Sequence, residues 1–367
     1  MSLQRQLTFW VAAIVVFALL LYIFRPILLP FVAGLAIAYF LDPIADWMQR
    51  HGCPRLLATA LILGLFALIL VLALIVIAPV LGGQIGSFVS ALPGYIGSLA
   101  SFLERNMPDT LKQLLTSSEP NFQGSLTDLA REAVSWTATL AASLWTGGLA
   151  LVNLVSLLIV TPVVAFYLLY DWDRMVAFVD SWLPRDHADT IRGLGREIDE
   201  ALAGFVRGQG TVCLILGVFY AVALSLAGLN FGLLIGLSAG LISFIPYVGS
   251  IVGFVVSGGV ATVQFWPEWQ MIALVLGIFI FGQALEGNFL SPKLVGDRVR
   301  LHPVWLMFAL FAFGYLFGFV GLLVAVPVAA AIGVLVRFGL RRYLESPLYL
   351  GSRARVAGTS ENREDGT

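Results

Sequence analysis

Seven stretches of this chain contain no Asp, Glu, Lys or Arg: 6–24, 26–41, 56–103, 133–170, 208–267, 269–285 and 301–336. Roughly 18 to 20 apolar residues cross the hydrocarbon of a bilayer as a helix, so each stretch is a candidate for membrane insertion. The composition agrees: 59% of the residues are hydrophobic and 12% charged, against about a quarter charged in a soluble domain. The expected fold class is all-α, a polytopic membrane protein whose partner is the lipid bilayer.

Two charged stretches separate the gaps, 104–132 with eight charges and 171–207 with thirteen. The first gap follows a short N-terminus, has no small-residue cleavage site and runs into Arg25-Pro26, which points to a retained helix rather than a signal sequence. The gap 56–103 is too long for one span and changes character at Gly82-Gly83. Beyond that point Ile85, Phe88, Leu92, Ile96, Leu99 and Leu103 repeat at helical spacing. That stripe predicts a separate amphipathic helix, lying along a surface or packed on its neighbours. Ile191, Leu194, Ile198, Leu202 and Phe205 make a similar stripe that enters the membrane at Gly208. The segmentation expected is 1–81, N-terminal transmembrane helices; 82–143, an external extramembrane helical region; 144–170, a transmembrane helix; 171–207, a cytoplasmic amphipathic region; 208–345, a transport core; and 346–367, a disordered polar tail.

Residues 232–267 and 301–336 carry the most information. Each is 36 residues long, and a straight helix of that length would run about 54 Å against a hydrocarbon core of about 30 Å. Both contain helix breakers in the middle: Phe244 to Gly249 with Pro246 in the first, and Gly314, Gly318 and Gly321, followed by Pro327, in the second. Each reads as a hairpin entering and leaving on one side, with Pro246, Gly249, Gly314, Gly318, Gly321 and Pro327 as hinges.

Basic residues flanking short spans stay in the cytoplasm. Eight ordinary spans would leave 14 basic residues inside and 7 outside, whereas six full spans plus two re-entrant hairpins give 17 and 4. The hairpin topology is preferred, with both termini cytoplasmic; eight spans is the alternative. Two discontinuous elements joined by the span 269–285 have the form of an inverted repeat, a recurring way of building a transport site at the midplane.

The stretch Gln283 to Arg300 places Gln283, Glu286, Asn288, Ser291, Pro292, Lys293, Asp297 and Arg298 at the end of an apolar span. Ionisable groups at that depth are costly and face a water-filled path or the bundle interior, unless the segment is an interfacial loop touching water. A carboxylate at Glu286 is either partly desolvated and able to cycle a proton, or held ionised by a cation such as Lys293 or Arg298. Pro246, Tyr247, Gly249 and Ser250 supply matching positions in the first hairpin turn, and Arg207 and Gln209 stand just before the preceding span. Gly232, Gly236 and Gly240 recur every four residues and let helices approach closely. Gly236-Leu237-Ser238-Ala239-Gly240 also matches the pattern of a nucleophilic serine, but it lies in an apolar helical run.

Several classes are excluded or disfavoured. No Walker A, G-x-G-x-x-G, H-E-x-x-H or Cys/His metal pattern occurs. No cofactor and no metal are expected, no enzymatic activity is assigned, and an ATP-driven pump would need its ATPase from a partner. A net charge of -1 and the lack of a basic patch interleaved with aromatics argue against nucleic acid. Cys53 and Cys213 lie in different environments and are expected to be free thiols.

Several of these residues carry a resemblance. The opening PFVAGLAIAYFLDPIADWMQRHGCPR, then Arg207-Gly208-Gln209, Ile245-Pro246-Tyr247-Val248-Gly249, Glu286 with Ser291-Pro292-Lys293 and Gly296, Leu301-His302-Pro303, and Gly318, Gly321 and Pro327 follow one another in order. Over about residues 10–345 this resembles the autoinducer-2 exporter family of bacterial membrane proteins. The resemblance implies a homo-oligomeric α-helical transporter of the inner membrane, with a pentamer as the expected assembly. It also implies either export of the small signalling molecule autoinducer-2 or exchange of sodium or lithium for protons. A non-transporting membrane scaffold is the reading of another class.

Overall fold

The computed structural model describes residues 3–106, 135, 148–246, 248–295, 302–346 and 349. These form nine α-helices named here in order: α1 (Leu3–Ile23), α2 (Leu28–Arg50), α3 (Arg55–Asn106), α4 (Gly148–Ser181), α5 (Ala188–Leu226), α6 (Gly232–Ile242), α7 (Val248–Phe265), α8 (Trp269–Leu285) and α9 (Pro303–Leu344). A π-helical segment, Glu286–Val295, continues α8. No strand occurs among the described residues. Six helical stretches among them are long and apolar enough to cross a membrane: Arg25–Arg50, Arg55–Ser98, Arg185–Leu226, Val248–Phe265, Trp269–Val295 and Pro303–Leu344. The fold is therefore the all-α, polytopic membrane class.

The chain divides into two compact units. One comprises Ile23–Trp172 with Arg207–Gly296, the other Met1–Tyr22, Asp173–Val206 and Asp297–Thr367.

The larger unit has two buried clusters. Ala38, Leu41 and Ala45 of α2 pack with Ile62 and Leu63 of α3 and Ala165 and Leu169 of α4. Val212, Leu216, Tyr220 and Leu224 of α5 pack with Ile235 and Ala239 of α6, Val260 and Ala261 of α7, and Val275 and Phe279 of α8. Lipid removes most of the hydrophobic drive between helices, so close backbone approach and buried hydrogen bonds carry more of the association. The glycines of α6 provide that approach: a methyl on Gly232, Gly236 or Gly240 would collide with α5 backbone at Leu224, Ala221 or Gly217 respectively.

The first 36-residue gap is a hairpin. α6 ends at Ile242, α7 begins at Val248, and a methyl on Gly249 would run into Ser243 and the Ala239 carbonyl. The open end is tied by the Gln264 side chain, which accepts from the Asn230 amide at 2.8 Å and donates to the Gly228 carbonyl at 2.8 Å. Eleven residues make α6 only about 16 Å long, about half the hydrocarbon thickness.

The change of character at Gly82-Gly83 does not end a helix, which corrects the sequence-based expectation. α3 runs unbroken for 52 residues, about 78 Å, well beyond a bilayer. Its far part packs inward: Gln84 accepts a hydrogen bond from the Leu234 amide at 3.0 Å, and Tyr95 meets the Asn230 side chain at 3.2 Å. Phe88 and Tyr95 stand edge-on to Phe231. Of the two readings of this stripe, a helix packed on its neighbours describes it over residues 84–95.

In the smaller unit α9 contains the second reversal. Gly318 has φ 62° and ψ -138°, and a methyl on Gly321 would strike the Phe313 carbonyl oxygen while one on Gly314 would touch Leu322. Residues eight apart in a straight helix are about 12 Å apart, so the chain folds back at Gly318. Pro327, expected among the hinges, lies within regular helix beyond the turn. Gly318→Ala forces a side chain into backbone that only glycine adopts easily, costing about 1 to 3 kcal/mol. A fall in the detergent melting temperature, absent for Gly339→Ala in open space, checks it.

Also in this unit, Arg192 bonds Asp180 at 2.7 and 2.9 Å, and Arg337 reaches Glu197 at 3.3 Å. The bond from Arg192 holds the Asp180 carboxyl below the usual carboxylate range. That tie is present at neutral pH and is lost as pH falls through the lowered value.

Candidate functional site

α8 delivers Glu286 to the interior of the larger unit. The residue is 8% exposed, and among the described residues its carboxylate makes no hydrogen bond and no ion pair. The Tyr220 hydroxyl of α5 lies over Gly282, one helical turn before Glu286. Gln209, Cys213 and Tyr220 recur at helical spacing along one side of α5, so a polar stripe lies within a helix whose neighbouring residues are core leucines and valines.

Glycines set the closeness of this packing. A methyl on Gly282 would strike the Tyr220 ring and hydroxyl, so that hydroxyl lies over α8 one turn before Glu286. Tyr220 stacks on Phe279 with ring centroids 4.4 Å apart, which fixes the ring, while its hydroxyl is buried without a hydrogen-bond partner. A methyl on Gly208 would strike the Leu294 carbonyl, so α5 also abuts the far end of the π segment. Gln209 is buried and donates from Nε2 to the Ser243 carbonyl at 2.6 Å, which ties α5 to the first hairpin turn.

The structure thus brings Gln209 and Gly249 together at the first hairpin turn, both against Ser243, with Ser250 beside them in sequence; Glu286 is buried at the end of α8. Ser250 and Gly249 are buried in the first turn of α7, and Pro246 is half-buried in the bend before it. Gln283 and Ser291 are half-buried, whereas Asn288, Pro292 and Lys293 are exposed. Asn288 donates to the Ala284 carbonyl at 3.0 Å, a bond within its own helix. Tyr247, Asp297 and Arg298 lie outside the described residues. The stretch expected as a polar loop is helical to Val295, wound with the wider π geometry, a form frequent at functional sites.

Arg207 faces elsewhere. Its guanidinium donates to the Tyr39 carbonyl at 2.7 Å and reaches Asp42 at 3.4 Å. Arg55 donates to Asp42 at 2.9 Å, Asp46 at 2.5 Å and the Leu169 carbonyl at 2.9 Å. Two arginines and two aspartates therefore tie α2, α3, α4 and α5 together, with every arginine contact spoken for by a carboxylate, an amide oxygen or a carbonyl. Arg207 belongs to that network, and among the described residues no positive charge pairs with Glu286.

Sequence reasoning missed Tyr220 and Cys213, although their offsets of eleven and four from Gln209 were the available signal. It had placed Gly236 and Gly240 correctly as packing positions; the serine-nucleophile pattern they frame is a helix contact.

The model of the AI-2E family transporter matches residues 11–341. The chain belongs to the AI-2E transporter family. It is 29% identical over 364 residues to the candidate transport protein YrrI of Bacillus subtilis, covering 93% of this chain and 98% of that one. It is 30% identical over 324 residues to the candidate permease PerM of Escherichia coli K12, covering 85% and 87%. A candidate transport protein of Mycobacterium tuberculosis is 26% identical over 324 residues, covering 87% and 84%. With AI-2E family membership and six membrane-capable stretches, this is a multi-pass membrane transporter.

Proposed function

We propose that this chain is a secondary transporter of the bacterial inner membrane that exports a small polar solute such as autoinducer-2, with Glu286 as its ionisable centre. The observation that carries the reading is a buried carboxylate that, among the described residues, has no cation paired with it and lies near a polar stripe of α5 that a helical hairpin packs against. Such a group is expensive to keep in an apolar setting unless it serves a path. Glu286 exchanges a proton or a ligand hydrogen bond, Gln209 holds the hairpin turn against α5, and Gln283, Ser250 and Ser291 supply further polar contacts. Membership of the AI-2E family supports the solute named.

Exchange of sodium or lithium for protons is a second reading, favoured by the same carboxylate, with which no basic side chain pairs among the described residues. Flux into proteoliposomes separates the two when autoinducer-2, Na⁺ and Li⁺ are run side by side under an imposed pH gradient. Absence of flux with all three would leave a scaffold and end the transporter reading. The protein works as a homo-oligomer in this proposal, with a pentamer expected, and cross-linking in native membranes measures the copy number.

The proposed topology puts residues 287–300 and both termini in the cytoplasm and Glu268 outside, supported by the distribution of basic residues. Lys293→Cys in a chain lacking Cys53 and Cys213 then resists a membrane-impermeant thiol reagent added to intact cells and reacts once the membrane is opened. Rapid labelling of intact cells would return the chain to eight ordinary spans.

A further inference from the structure

We propose that Tyr220 is a second ligand-contacting residue of this site, and that the Tyr220 hydroxyl and the Glu286 carboxylate together recognise two neighbouring hydroxyls of a neutral solute. This rests on the reading of Glu286 as the transport site and specifies what that site takes.

Three observations meet here. The Tyr220 hydroxyl is fully buried and has no hydrogen-bond partner, a costly condition that native interiors rarely leave in place. Its ring is fixed by the stack on Phe279 and by the space that Gly282 leaves open, so the hydroxyl is directed rather than free to turn toward another acceptor. Glu286 lies one helical turn beyond Gly282, is 8% exposed, and makes no hydrogen bond among the described residues. An unpartnered phenol placed over Gly282, one helical turn before a buried carboxylate, is complementary to one O–H that donates to the carboxylate and an adjacent oxygen that accepts from the phenol. Buried polar groups left without partners disfavour a solute that lacks them, so a site of this kind discriminates by hydroxyl pattern. Among the described residues the only charge in it is negative, which repels carboxylates and phosphates.

Cys213, half-buried on the same side of α5, reports occupancy without requiring flux. In Cys53→Ser protein it is the only thiol, and its alkylation by N-ethylmaleimide is timed in the purified full chain. Autoinducer-2 and ribose are the neutral polyols, 2-deoxyribose the matched solute lacking one hydroxyl, and acetate, phosphate, Na⁺ and Li⁺ the charged probes. At least one polyol is expected to slow alkylation, deoxyribose to be the weaker of the sugars, and the charged probes to have no effect. Tyr220→Phe should raise the half-protecting polyol concentration about tenfold while leaving the melting temperature unchanged or higher, since the hydroxyl bonds nothing in the protein. Wild-type half-protection in Tyr220→Phe, no protection by any polyol, or protection by an anion or by Na⁺ or Li⁺ alone overturns the proposal. Flux without polyol protection sinks this inference and spares the transporter reading; polyol protection without flux does the reverse.

Discussion

Glu286→Gln reduces pH-dependent flux to the level of empty vesicles and leaves the amount of assembled protein unchanged. The amide keeps the size and most of the hydrogen-bonding capacity of the carboxyl, so the chain folds as before. What it loses is the ability to take up and release a proton. Stability is expected to hold or rise, because a buried carboxylate without a basic partner costs more to keep in an apolar setting than a neutral amide. A residue that only anchored α8 would give the opposite result, lower expression with normal transport per molecule. Proteoliposome flux measured across a pH series, normalised to protein content, distinguishes these outcomes. A wild-type pH profile in Glu286→Gln would remove this residue from the mechanism.

Gly240→Val prevents stable assembly of the first hairpin on α5. The added side chain meets the Gly217 backbone and the Cys213 carbonyl, neither of which can rotate away as a side-chain tip could. Overpacking of this kind costs about 3 kcal/mol, and here it acts on the helix pair that carries Gln209, Cys213 and Tyr220. Loss of the monodisperse peak in detergent chromatography, together with a lower melting temperature, is the expected result. Gly277→Val is the control, since Gly277 is exposed with no atom in reach of an added methyl. Equal behaviour of the two variants would mean that α6 and α5 do not meet as closely as the structure has them.

Much of the fold was legible because a membrane sets harsh terms on sequence. Charge-free runs marked the helices, and two runs too long for one span located the reversals near Pro246 and at Gly318. The misread parts have physical causes. Gly82-Gly83 looked like a break, yet each glycine costs a helix only about 1 kcal/mol, and the contacts of Gln84, Phe88 and Tyr95 favour continuation. The stretch after Glu286 looked like a loop because it is polar, but polarity does not forbid a helix at an interface. Arg207 was assigned to the path because it stands with Gln209 just before a span, in the Arg207-Gly208-Gln209 match to the family. Its partner Asp42 is 165 positions away in sequence, and no local spacing reports such a pairing. Tyr220 was overlooked because a tyrosine in an apolar run reads as lipid contact or core until the neighbour lacking a side chain, Gly282, is located in space.

The short α6 has an electrical consequence. Aligned peptide dipoles leave about half a negative charge at the carboxyl end of a helix and about half a positive charge at the amino end of the next. At the turn between Ile242 and Val248 these two ends meet, so their fields largely cancel over a few ångströms. The hairpin tip therefore presents a compact dipole, with no net charge to be solvated. Pairing the two ends lowers the electrostatic cost of holding the tip in a low-dielectric interior relative to either helix end alone.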